Sequence, residues 1–142
     1  WRMELVALEG NRTLLRDCYN ANPLSVGVAL EVLAGSGRGA KLALLADMAE
    51  LGDRATELHE EIGRAAARLG IDRLIHIGTF GSAVAEGFVA AGGKSDAVTV
   101  AEDKETAWKA IAPTVKSFGA ILVKGSRVMK MEILANRIVE EN

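Results

Sequence analysis

Two short polar stretches hold most of the side chains in this sequence that could bind or activate a ligand. The first, Asp17-Cys18-Tyr19-Asn20-Ala21-Asn22-Pro23, combines a carboxylate, a phenol and two amides. A carboxylate at a strand end can accept hydrogen bonds from two ribose hydroxyls, and an amide donates and accepts at once, as a base edge requires. The second, Lys124-Gly125-Ser126-Arg127, sets two cations around a glycine and a hydroxyl. Such a turn between a strand and a helix suits a carboxylate or a phosphate. It is not a P-loop, because G-x-x-x-x-G-K-[ST] occurs nowhere in the chain. Each stretch also has a plainer reading. Asn22 before Pro23 is a good helix N-cap, worth about 0.5–2 kcal/mol with no ligand involved. The basic turn could simply be solvated. A cap, however, leaves Asp17, Tyr19 and Asn20 unexplained.

The remaining reactive side chains carry less. His76 falls inside a strand pattern and reads as structural, whereas His59, one residue from Leu58 on a helix, is balanced between a structural role and a site role. Without paired Cys or His at ligand spacing, zinc is not expected. Asp47, Glu50 and Asp53 read as a solvated acidic loop in preference to a metal cluster. Cys18, the single cysteine, has no recognisable partner base and reads as a small packing residue.

The elements that must position these groups follow from periodicity. Met3 to Leu8 and Thr13 to Asp17 read as strands around a Gly10-Asn11 turn. A helix starts near Asn22 with Val26, Ala29, Leu30 and Leu33 inward, and the glycine-rich loop 35–39 follows it. Its G-x-G precedes a strand and has little weight as a dinucleotide fingerprint. Leu42 to Ala46 is an unalternating apolar run that suits a strand buried on both faces. A second helix, about Ala55 to Leu69, is expected to face inward with Leu58, Ile62, Ala65 and Leu69. After the strand Leu74 to Ile77, a third helix should bury Phe80, Val84, Phe88 and Ala91. Ala97 to Val100 is a short strand, and a fourth helix after Glu102-Asp103 carries Trp108, Ile111 and Val115. Ala120 to Val123 is the last strand, and a fifth helix turns Met131, Leu134, Ala135 and Ile138 inward. Four strands thus alternate with helices after the opening pair. That pattern predicts an α/β fold: a Rossmann-like, doubly wound, mostly parallel sheet with helices on both faces.

The 142 residues suit one domain with a single core. The formal charge of -2 gives no electrostatic reason to expect nucleic acid. No apolar run approaches the ~18 residues of a membrane span. One cysteine rules out an internal disulfide and is compatible with a reducing compartment. A chain that opens on Trp1 and runs straight into a strand pattern reads as cut from something longer.

Taken in order, Asp17-Cys18-Tyr19-Asn20-Ala21-Asn22-Pro23, Ala46-Asp47-Met48-Ala49-Glu50-Leu51-Gly52 with His59 after it, Val123-Lys124-Gly125-Ser126-Arg127 and Met131-Glu132 closely resemble the C-terminal domain of the Mur ligases. The resemblance covers essentially the whole chain and points to the branch that joins D-alanyl-D-alanine to UDP-MurNAc-tripeptide in cytoplasmic peptidoglycan synthesis. It implies that residues 1–142 form one Rossmann-like domain, with 1–10 as the junction to a central ATPase domain. That central domain would hold most of the ATP and Mg2+, and a further domain the UDP sugar. ATP would phosphorylate the tripeptide carboxylate, and the dipeptide amine would then attack the acyl phosphate. By position, Asp17 should contact the ATP ribose, Asn20 and Asn22 the nucleotide side of the interdomain cleft, and Arg2 the terminal phosphate. Lys124, Gly125 and Ser126 match the loop that holds the carboxylate of D-alanyl-D-alanine, with Arg127 beside it. Tyr19, His59 and Glu132 are possible further contacts. The resemblance assigns no metal ligand and no complete catalytic set to this domain, so alone it is expected to be inactive. Arg16, Cys18 and Ala46 depart from residues common in such families and leave the loop shape open. A folylpolyglutamate-synthase-like domain and a free-standing nucleotide- or anion-binding α/β module are the alternatives. The second draws on Gly78-Thr79-Phe80-Gly81 following a strand.

Overall fold

A computed structural model describes residues 2–37 and 39–142, so Trp1 and the Arg38 of the glycine-rich loop lie outside the described residues. The elements alternate as the periodicity predicts: β1 (Glu4–Leu8), β2 (Arg12–Asp17), α1 (Pro23–Ala34), β3 (Ala40–Ala46), α2 (Ala55–Arg68), β4 (Arg73–Ile77), α3 (Gly81–Ala90), β5 (Val98–Ala101), α4 (Lys104–Ile111), β6 (Phe118–Lys124) and α5 (Glu132–Glu140). They build one six-stranded sheet in the order β1-β2-β6-β3-β4-β5. Every pairing is parallel except that of the edge strand β1 with β2. No helix among the described residues is long and apolar enough to cross a membrane.

The buried runs of β3 and β6 follow from having helices on both faces of the sheet. Leu42, Leu44, Ile121 and Val123 pack with Trp108, Ile111, Leu134 and Ile138 on the α4–α5 face. Ala43, Leu45 and Leu122 point the other way, toward Val26, Leu30, Ile62, Val84 and Phe88 of α1, α2 and α3. Each helix starts and stops for local reasons. Asn22 caps α1 by accepting the Ser25 N–H at 2.8 Å, while Ser25 Oγ accepts the Asn22 N–H at 3.1 Å, a reciprocal box worth about 1 kcal/mol. Asp103 caps α4 by accepting the Thr106 N–H at 2.7 Å, and α4 ends at Ile111, two residues before Pro113.

Two helix faces differ from the periodic expectation. Helix α2 buries Ala55, His59, Ile62, Gly63 and Ala66, while Leu58, Ala65 and Leu69 are only half-buried. Helix α3 buries Gly81, Ala83, Val84, Gly87 and Phe88, leaving Phe80 and Ala91 at its half-buried ends. The cause is glycine-mediated contact between the two helices. A Cβ on Gly63 would overlap the Val84 carbonyl oxygen, and one on Gly87 would overlap the Glu60 carbonyl oxygen. The helices meet backbone to backbone, so the residues flanking the glycines, and not the largest side chains, define the interface.

The register aligns the carboxyl ends of the strands. Asp17 of β2 pairs with Lys124 of β6, Lys124 with Leu45 of β3, and Ala46 with Ile77 of β4. From β3 the chain winds outward through β4 and β5, then returns to place β6 on the other side of β3. Ligands of open α/β sheets bind beyond the strand ends at such a reversal.

Candidate functional site

Asp17 and Lys124, which the resemblance sends to different ligands, are adjacent because they are register partners. Lys124 Nζ donates to Asp17 Oδ2 at 2.7 Å and to the Asn20 carbonyl at 2.7 Å. Lys124 is 1% exposed and Asp17 6%. Two of the three ammonium protons are therefore used inside the chain. The pair forms the floor of a cleft of about 320 Å³ whose rim includes Arg2, Asn20 and Ser25. The Asn20 side chain accepts the Ala21 N–H at 2.9 Å, which orders the loop. Asn22 Oδ1 serves as the α1 cap, the plainer of its two sequence readings.

Tyr19, on the same loop, lines a second cleft. The Arg2 guanidinium lies 4.8 Å from the Tyr19 ring centroid and that of Arg127 lies 5.6 Å from it. Cys18, Tyr19, Arg127 and Glu132 line this second cleft, of about 400 Å³. Cation–π contact holds a guanidinium in place without neutralising it, at about 0.5–1 kcal/mol for exposed pairs. Cys18 is closed to chemistry. Burial, reinforced by the Glu132 charge, pushes its thiol up to about 12, and Sγ donates to the Val123 carbonyl at 3.6 Å.

The basic loop is more structural than its composition suggests. Gly125 is required by packing: a Cβ there would lie 2.7 Å from Met131 Cγ and 2.9 Å from Ala46 Cβ. Ser126, 4% exposed, donates through Oγ to the Asp47 carbonyl at 3.0 Å. The loop also does not run directly into a helix N-terminus, as its sequence suggested. A 3-10 turn over Arg127–Met129 and a left-handed Lys130 (φ 49) intervene before α5. The exposed cations of this region are Arg2, Arg127 and Lys130.

A third constellation, invisible as a unit in the sequence, lies behind the loops. Asp47 at the end of β3 accepts the Thr79 N–H at 2.7 Å, the Phe80 N–H at 3.1 Å and His76 Nε2–H at 2.9 Å. Burial pushes its carboxyl up, but the hydrogen bonds from His76, Phe80 and Thr79 outweigh it and hold the carboxyl below its ordinary range. His59 Nδ1–H donates to the Ala55 carbonyl at 2.7 Å, and Nε2 accepts the Met48 N–H at 3.0 Å. Its ring stacks on Phe80 with centroids 4.5 Å apart. Burial holds His59 neutral by lowering its pKa. Asp47, His59 and His76 bring three donor atoms within 4.8 Å of one another, as a cation site would. Their lone pairs and protons nevertheless already fix the Asp47 loop to α2 and α3. His59, a possible site residue from sequence, is thus a fully buried pin of the core. Gly78 (φ 128) belongs to the same anchor, since a Cβ there would overlap the Asp47 carboxylate. The same geometry removes the best support for a free-standing anion module, because the Thr79 and Phe80 N–H groups are taken by Asp47.

A mostly parallel open sheet with polar side chains gathered beyond its strand ends defines the class of doubly wound α/β domains, whose ligands bind at that edge. Comparison narrows this. Residues 1–127 match the Mur ligase, glutamate ligase domain family, and the chain belongs to that family, with the Rossmann-like fold of its C-terminal domain. Among curated relatives, the UDP-N-acetylmuramoyl-tripeptide–D-alanyl-D-alanine ligase of Escherichia coli (strain K12) is 34% identical over 141 residues, 99% of this chain and 30% of the relative. That of Bacillus subtilis (strain 168) is 32% identical over 140 residues, 98% of this chain and 30% of the relative. A crystal structure of MurF from Acinetobacter baumannii superposes with TM-score 0.86 at 29% identity, over 98% of this chain and 30% of that one. MurF from Thermotoga maritima, solved in complex with ADP, superposes with TM-score 0.77 at 25% identity, over 99% of this chain and 30% of that one. The chain therefore spans about 30% of the length of the relatives it matches.

Proposed function

We propose that residues 1–142 are the C-terminal domain of an ATP-dependent amide ligase that joins D-alanyl-D-alanine to UDP-MurNAc-tripeptide, with residues 1–10 joining a central ATPase domain. The observation that supports this best is the pair of clefts that border the 17–20 loop at the carboxyl end of β2. One is floored by Asp17 and Lys124 and rimmed by Arg2, and the other is lined by Arg127 and Glu132. The residues fit part of a nucleotide site. Asp17 and Asn20 border a cleft able to take ribose hydroxyls, and Arg2 lines the same cleft and would supply positive charge to a terminal phosphate. No P-loop occurs in this sequence, so the phosphates and Mg2+ would be held chiefly by the central domain.

In this reading ATP supplies the phosphoryl group that activates the tripeptide carboxylate. This chain's own residues bind and orient. The Asp17–Lys124 pair, being buried and register-fixed, presents the remaining carboxylate oxygen at a set position. Arg2 contributes charge at the rim. Closure of this domain over the central one would bring the dipeptide amine to the activated carbonyl and exclude water, a gain of positioning. The domain alone does no ligation. Steady-state assay of the full-length gene product with UDP-MurNAc-tripeptide, ATP and D-alanyl-D-alanine tests the reading. Amide formation with stoichiometric ADP release is expected, and none with any dipeptide would overturn it.

A further inference from the structure

Strand β1 has the wrong pattern for a sheet edge with one solvated face. An antiparallel strand covered on one side alternates apolar and polar residues. Val6 and Leu8 pack into the α4–α5 side of the core, as that rule requires. The opposite face carries Leu5 and Ala7, and both are exposed, Leu5 to 67%. Helix α1 packs on β6 and β3, so on this face β1 and β2 run out beyond it. A groove of about 360 Å³ lies there, lined by Leu5, Leu15, Val32 and Leu33, with Thr13 and Ser36 as its polar members and no charged side chain. Ser36 Oγ is buried and has no hydrogen-bond partner among the described residues. Val28 and Leu24, about one and two turns before Val32 on the same side of α1, are exposed as well. Single exposed apolar residues are ordinary, but a row of them beside an apolar groove marks an interaction surface.

The rest of the protein supplies the occupant. The chain spans about 30% of the length of the relatives it matches. In the ligase reading, on which this inference rests, the central ATPase domain joins through residues 1–10, and Leu5 lies within that junction. The row of Leu24, Val28 and Val32 starts beside Ser25, which borders the cleft of Arg2 and Asp17. We infer that this face of α1 and β1 seats the central ATPase domain, with an uncharged aliphatic segment in the groove and a polar group on Ser36 Oγ. The groove reaches Thr13 and Ala120, near the amino ends of β2 and β6, whereas the Asp17–Lys124 cleft lies at their carboxyl ends. The contact is therefore made beside the cleft and needs no nucleotide. It holds the two domains together before ATP binds.

The test is photo-crosslinking of the full-length enzyme with benzoylphenylalanine in place of Val28 and no nucleotide present. Peptide mass spectrometry should find an intramolecular crosslink from α1 to the ATPase domain and no dimer. Adding Leu5→Asp should remove most of that crosslink. The same group in place of Val139, exposed on α5 on the other side of the sheet, should give none. A dimer-sized product would give the face to a second copy, no crosslink would leave it to solvent, and a crosslink formed only with ATP would put it in the closing cleft. Each of these overturns the inference, as does an equal crosslink from position 139 or one untouched by Leu5→Asp. Leu5 and Val28 lie outside the core, so the variants should fold, and ligation by the Val28 variant checks this. The ligase reading fails separately, if the unmodified enzyme forms no amide from ATP, UDP-MurNAc-tripeptide and D-alanyl-D-alanine.

Discussion

Replacing Lys124 should unfold more than it should unbind. The Lys124 side chain is 1% exposed and that of Asp17 9%, and their 2.7 Å contact sits between two central strands. Removing one partner of a buried pair leaves the other charge uncompensated, at a cost of about 3–5 kcal/mol. A domain of this size is stable by only about 5–15 kcal/mol, so Lys124→Ala would remove a large share of the total. The loss of the bond to the Asn20 carbonyl adds about 1.5–3 kcal/mol on its own and loosens the 17–22 loop. Urea denaturation of this chain and of Lys124→Met, Asp17→Asn and the double variant forms the deciding cycle. Each single change should lower stability by about 3 kcal/mol or more, and the double variant should lose clearly less than the sum, because no buried charge is left alone. Additive losses, or a Lys124→Met variant within about 0.5 kcal/mol of the parent, would refute the pair's structural role. In the full-length enzyme, Lys124→Met should then raise KM for ATP and for the dipeptide together, since the loop it anchors borders both clefts.

Acid should destabilise the fold through His59 before it does so through Asp47. The His59 pKa is lowered in the folded chain, so below about pH 6.5 the unfolded state takes up a proton that the native state refuses. Stability is therefore flat above that pH and falls below it, by up to about 1.4 kcal/mol per pH unit. Urea midpoints from pH 8 to 5 in the parent and in His59→Gln should show the smaller slope in the variant, and equal slopes would count against the assignment. Asp47 adds stability that is present above its ordinary carboxylate range and lost as pH falls through its depressed folded value, so a second, steeper loss should follow at lower pH. Gly87→Ala should destabilise by about 1–3 kcal/mol by forcing α2 from α3, with thermal denaturation as the measure, and a neutral result would show that the helices can separate freely. Cys18 should resist thiol reagents at pH 8 in the native state and react fully once denatured, because a buried thiol pushed to about 12 carries almost no thiolate.

The alternation of apolar runs and helical stripes was enough to place the strands and helices, because the apolar runs of β3 and β6 are too short for a helix and suit strands buried on both faces. The two capping signals, Asn22 and Asp103, set helix starts through purely local chemistry. Misplacement began where contact depends on the absence of a side chain. Gly63 and Gly87 carry no hydrophobicity, yet they turn α2 and α3 by letting backbones touch, and a periodic count of large residues is blind to that. The site was legible as residues and not as pairings. Asp17 and Lys124 are 107 positions apart, and only the parallel register of β2 with β6 makes them partners. Asp47 and His76 likewise meet across β3 and β4, so a loop that looked acidic and solvated is a hydrogen-bonded anchor.

These pairings divide the polar groups at the strand ends into two mechanical classes. Lys124, Ser126, Asp47 and His59 are fixed by internal bonds in or next to the core, and a ligand cannot draw them out without breaking those bonds. Arg2 and Arg127 are exposed, rest on one aromatic ring and have no carboxylate partner among the described residues. If the proposed ligase reading holds, a domain that closes over a reaction centre and reopens would use both classes. The fixed set would keep the cleft floor in shape, and the ring-held arginines would be the groups able to form and release ion pairs at the rim. An incoming carboxylate or phosphate would offer each guanidinium a bidentate, charge-assisted pair that the ring cannot, and would compete with the ring for it. Tyr19, which contacts both guanidiniums, would then be the ring on which these two rim cations rest between ligands.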